Sequence, residues 1–142
     1  MLRILLGILL ACFTTIALAK SPPLNEPILV SGIVLCDTLE QSVRVVDLSD
    51  KVNSAGKDFD KEASKILEAV NKQAGSKTAC VAVPVVAVTL TEKVATKDNS
   101  IGLIEIYKLI VLGVGRDAEH IQPLKEPAEQ FGSFLIHKNV AI

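Results

Sequence analysis

The chain has 142 residues with 15 basic and 16 acidic side chains, a formal net charge of −1, which is enough for one domain and not two. That balance leaves no basic field to hold phosphates, so nucleic acid is not an expected partner. With 49% apolar residues the chain is too hydrophobic for disorder, and without Trp and with only 4% aromatics it has no obvious sugar platform or base-stacking groove.

Residues 1–19 (MLRILLGILLACFTTIALA) read as a secretory leader. Arg3 and the terminal amine supply the positive start, Ile4–Leu18 the apolar stretch, and Ala17-Leu18-Ala19 the small-x-small cleavage pattern. Two other readings stand beside it. Leu9-Leu10-Ala11-Cys12 resembles a bacterial lipobox, which would lipidate Cys12 and tether the protein. An uncleaved anchor is the other, although a spanning helix needs roughly 20 apolar residues and this run is shorter. No later stretch is apolar for long enough to span a bilayer, so no membrane span is expected once the leader is gone. Residues 20–27 follow as a Pro-rich spacer, with three prolines in Ser21–Pro27, and residues 28–142 are expected to form a single domain.

Ile28–Cys36 is apolar on both faces and predicts a covered strand, with Gly32 at a bulge or a close backbone approach. Asp37–Leu48 predicts a short helix. Thr38 and Gln41 have capping-box spacing, Asp37 is a cap partner, and Leu39, Val43 and Val46 form one apolar stripe. Ser49–Lys57 reads as a loop. A second helix follows, with Phe59, Ala63, Ile66, Leu67, Val70 and Ala74 at helical period, Asp58 or Asp60 as the cap at its start and Gly75 as a left-handed stop.

Ala79–Thr91 is a charge-free strand of β-branched character, broken by Pro84, which argues for an edge or a bulge. Glu92–Ser100 supplies turn residues, and Ile101–Val114 is the second arm of a hairpin. On that arm Glu105, Tyr107 and Leu109 share one face, and Ile104, Ile106, Lys108 and Ile110 the other. Gly115–Gln130 is polar, contains Pro123 and Pro127, and reads as a long loop. Phe131–Ile142 closes the chain as a strand with Phe134, Ile136 and Val140 on one face. The expected fold is α+β in the order β-α-α-β-β-β, an antiparallel sheet with both helices on one face.

Cys36 and Cys80 remain after the leader. An even count in an exported domain favours one disulfide; two buried thiols are the alternative. A catalytic thiol lacks support, because neither cysteine has a neighbouring His and no C-x-x-C pair exists.

The blocks Gly32-Ile33-Val34-x-Cys36-Asp37-Thr38-x-Glu40-Gln41, Val70-Asn71 and Ala79-Cys80 resemble a group of small exported proteins of Gram-negative bacteria. The resemblance covers about residues 30–112 and its specific part is the two cysteine blocks. It implies export, a paired Cys36 and Cys80 and one α+β domain, and it implies no activity. Pro84 and the polar segment around His120 depart from that pattern.

Catalytic constellations are missing. There is no G-x-x-x-x-G-K-[ST], H-E-x-x-H or G-x-S-x-G, and Gly113-Val114-Gly115 lacks the remainder of a dinucleotide fingerprint. His120 and His137 have no clear third metal ligand. Asp58, Asp60 and Glu62 cluster at a helix start, where the dipole accounts for them, and Asp117 and Glu119 lie in the polar segment. No cofactor and no metal are expected, and no enzyme activity. A hydrolase would need His120 or His137 joined to a buried carboxylate in one pocket.

The charge-free strand is the feature above background, since an open apolar edge is a pairing hazard. Either the strand is buried with a local bulge, or another chain covers it, in which case Val81, Val83, Val85, Val86 and Val88, with Tyr107 on the next strand, form the expected interface. The expectation is therefore a non-catalytic exported interaction or structural module, periplasmic or secreted, with a protein partner or a second copy of the chain. The alternative is a small peptide- or protease-binding, inhibitor-like domain that presents Gly115–Gln130 on a braced frame.

Overall fold

The computed structural model describes residues 20–138, apart from the side chains of Phe59 and Lys138. The leader, Cys12 and the end of the last predicted strand, with Val140, lie outside the described residues. The elements are β1 (Pro27–Cys36), α1 (Leu39–Ser54), α2 (Phe59–Ala74), β2 (Cys80–Asp98), β3 (Gly102–Gly115) and β4 (Ile121–Lys138). The fold is α+β in the expected order, with every strand pair antiparallel.

The sheet curls until β1 meets β4, giving a closed order β1-β2-β3-β4. The closing seam is short: Leu35 pairs with Gly132 and Cys36 with Phe131. Gly132 permits it, because a Cβ there would sit 2.8 Å from Ile33 Cδ1 and 3.1 Å from Leu109 Cδ2. Ile28, Val30, Ile33, Leu35, Val86, Val88, Leu90, Tyr107, Leu109, Val111 and Phe134 fill the interior. Strand alternation then sends Val34, Cys36, Ile104 and Ile106 to the outer face, where the helices cover them. Val45, Ile66 and Val70 pack around Cys36 and Cys80, and Val46 packs on Ile104 and Ile106.

Cys36 and Cys80 are register partners on β1 and β2, their Cα atoms are 4.1 Å apart, and they form a disulfide. It closes the base of the excursion that carries both helices. Asn71 of α2 reinforces the same point. Its side chain accepts from the Cys80 N–H (2.7 Å) and donates to the Cys80 and Lys77 carbonyls (3.0 Å each).

Four local expectations change. First, α1 runs past Leu48 to Ser54. Leu48 and Val52 continue an apolar stripe that packs near the disulfide, and the Ser49 hydroxyl bonds back to the Val45 carbonyl at 2.7 Å, so the polar composition of 49–54 is overridden by packing. The α1 cap is the expected Thr38–Gln41 box, but Asp37 is not part of it: its carboxylate accepts from Gln130 of β4. Second, β2 continues through Glu92–Asp98, so the hairpin turn shrinks to Asn99–Ile101.

Third, the polar segment Gly115–Gln130 is mostly strand; only Arg116–His120 turns. Residues 121–123 and 128–130 pair with β3 alone, and 124–127 bulge out of the register between them, so β4 is an edge there. Prolines forfeit no ladder bond on an unpaired side, and Pro123, Pro127, Lys125, Glu126 and Glu129 are the residues that keep an edge from pairing further. A composition that reads as loop is the signature of a guarded edge. Fourth, β2 is central from Val85 to Thr89 and an edge on its β3 side at Pro84, where β3 has ended opposite Val85. Pro84 therefore forfeits no bond to β3, and the β1 register runs unshifted from Ser31↔Val85 to Ile33↔Val83 with Gly32, whose φ is +63°, opposite Pro84 and outside the pairing.

Candidate functional site

The six residues expected at an interface do not form one surface. Val85, Val86, Val88 and Tyr107 are buried, Val83 is half-buried against the interior, and Val81 is 37% exposed. The charge-free run is apolar because β2 lies between β1 and β3 from Val85 to Thr89 and begins at Cys80 in the layer under the helices.

What remains open is beside it. Where the β1–β2 ladder breaks at Gly32 and Pro84, an open-sided cleft of about 310 Å³ lies between the outer face of the sheet and the two helices. The sheet contributes Gly32, Val34, Ala82, Val83 and Pro84, α1 contributes Val45 and Ser49, and α2 contributes Ala63, Ile66 and Leu67. The α2 positions come from its predicted stripe, whereas Val45 lies off the predicted α1 stripe and Ser49 beyond the predicted end of that helix; Ser49 is the only polar side chain in the lining, and its proton is already given to the Val45 carbonyl. Among the described residues no acid, base or nucleophile other than that committed hydroxyl lines this space.

A second cluster sits inside the barrel. Glu105 of β3 is only 5% exposed. Its Oε1 accepts from Tyr107 Oη and from Ser21 Oγ, each at 2.7 Å, and its Oε2 accepts from Lys93 Nζ at 3.1 Å. Burial pushes the Glu105 carboxyl up, but the three hydrogen bonds and the Lys93 charge outweigh it and hold it below the ordinary glutamate value. Burial and the bond to Glu105 push the Tyr107 hydroxyl up to about 12, so it stays a donor. The Tyr107 ring meets Phe134 edge-on with centroids 5.6 Å apart. The shared face of Glu105 and Tyr107 is legible as period-two alternation; the contribution of Ser21, 84 residues away, is not.

The two histidines and the other carboxyls with lowered values, Asp50 and Asp117, are bonded elsewhere or exposed. His120 and Asp117 bond at 2.6 Å in the exposed β3–β4 turn, and the His120 bond lowers the Asp117 carboxyl. His137 is exposed on β4. Neither histidine is among the partners of Glu105. Asp50 holds the β2–β3 turn through Ser100, whose side chain and N–H both bond its carboxylate and lower it. Among the described residues no group of three His, Cys, Asp or Glu side chains could hold a metal ion, and no helix is long and apolar enough to cross a membrane.

Comparison with family models, with curated proteins and with solved structures gave no match for this chain.

Proposed function

We propose that the protein is a non-catalytic interaction module of an exported, oxidising compartment, and that the cleft between the helices and β1–β2 receives an apolar side chain from a protein partner. The observation that carries it is the lining: eight apolar side chains from four elements around one serine without a free proton. Small-molecule pockets combine apolar walls with a few polar groups that fix the ligand's orientation. This cleft has no such group, so orientation must come from the rest of a larger partner, with the inserted side chain as its anchor. The Cys36–Cys80 bond, which is buried and lies at the root of the helical excursion, supports maturation where thiols oxidise.

The test fills the cleft. Ala63→Trp places a ring where the partner's side chain would insert. Crosslinked to its native neighbours, the wild-type protein should give a defined adduct that Ala63→Trp loses while its melting temperature holds. An adduct that persists unchanged in Ala63→Trp would refute the cleft as the docking place.

A further inference from the structure

Residues 20–26 are held to the barrel at two points. The Asn25 N–H donates to the Leu90 carbonyl at 2.7 Å, in a turn where Asn25 takes φ +61°. Ser21 Oγ then donates to Glu105. Pro22 and Pro23 lie between these anchors, and apart from Pro22 every residue from 20 to 27 is exposed. The seat, in contrast, is built from the interior: Glu105 and Tyr107 are buried, and Lys93 reaches the far carboxylate oxygen. A carboxylate at a buried position is costly unless its partners satisfy it. One of the three partners here is supplied by a segment that lies almost wholly in solvent.

We propose that the Glu105 end of the barrel is a docking seat for an extended Ser-Pro-type segment, filled in cis by residues 20–26 and exchangeable for the same segment of a second copy of this chain. The occupant is the one the structure shows seated. A second copy brings the same hydroxyl and the same prolines, so exchange conserves every contact and changes only the linkage. The two prolines restrict the free segment, which reduces the ordering loss whenever it docks. The proposal deepens the interaction-module reading, but it uses the opposite side of the sheet from the cleft, so the two fail separately.

The probe is a fluorescent synthetic peptide, Lys-Ser-Pro-Pro-Leu-Asn-Glu-Pro, titrated by anisotropy into the full-length protein. Ser21→Ala weakens the occupant in cis. The peptide is expected to bind Ser21→Ala at least about tenfold more tightly than wild type, and a peptide carrying Ala for Ser should lose that gain. Adding Glu105→Gln should abolish binding; Tyr107→Phe, which keeps the ring packed on Phe134, serves if Glu105→Gln does not fold. Ala63→Trp should leave peptide binding unchanged. Sedimentation equilibrium should show wild-type dimers that grow with concentration and that Glu105→Gln or Tyr107→Phe lacks. Peptide that binds Ser21→Ala no better than wild type, binding that survives both seat variants or is lost in Ala63→Trp, or a wild-type protein monomeric up to about 1 mM would each overturn the proposal.

Discussion

Reduction of the Cys36–Cys80 bond should remove a large share of the protein's stability. The two cysteines are 44 residues apart in sequence, and loop-closure entropy for that span gives about 4 kcal/mol as an upper estimate. A domain of this size has about 5–15 kcal/mol in all. Reduction is a cleaner perturbation than replacement, because two thiols refill almost the same buried volume and leave no cavity. Both sulfurs are shielded, at 0% and 1% exposure of their residues, so the protein must be unfolded with reductant and refolded before measurement. With a urea m-value of about 1–3 kcal/mol/M, the unfolding midpoint should drop by about 1–4 M. The m-value should rise as well, since the reduced unfolded chain exposes more surface. A midpoint that falls by less than about 0.3 M would mean that strand pairing and the Asn71 clamp hold the helices without the covalent tie.

Asn71→Ala leaves the Cys80 N–H without its 2.7 Å partner and should cost about 1–3 kcal/mol in chemical denaturation; a loss within error would show that water replaces the clamp. Gly132→Ala forces its new methyl against Ile33 and Leu109 at the closing seam and should destabilise by about 1–3 kcal/mol, read as a lower melting temperature, with a neutral result meaning that the seam is looser than its contacts indicate. Glu105 has a folded-state carboxyl below its ordinary value, so its stabilising effect is present above that ordinary value and is lost as pH falls through the folded one. Melting temperature followed from about pH 6 to about pH 2.5 should therefore fall less steeply in Glu105→Gln than in wild type; parallel curves would remove Glu105 from the acid response.

Elements whose signals are local were legible in the sequence. The Thr38–Gln41 box, the Asp58 and Gly75 ends of α2 and the period-two faces of β3 all sit where the residues placed them. Misjudged segments were those whose meaning depends on a neighbour. Pro123 and Pro127 signal a loop until the unpaired side of β4 is known, and Ser49–Ser54 signals a loop until Val52 is seen against the disulfide layer. The charge-free β2 left a buried strand and a partner-covered one both open, because sequence does not report strand order; β1 and β3 flanking Val85–Thr89 decide for burial there. Neither candidate site was legible as a site. The cleft needs the break at Gly32 and Pro84 to coincide with the gap between helices, and the Glu105 seat needs Ser21 to cross to β3.

A photoreactive benzoylphenylalanine at Ser64, an exposed α2 position next to the cleft-lining Ala63, irradiated in the native compartment, tests the docking cleft most directly. A discrete protein adduct is expected from that position, lost when Leu67→Asp places a charge in the cleft, and missing when the same group replaces Lys125 on the guarded edge of β4. Equal adducts from positions 64 and 125, or none from position 64, would contradict it.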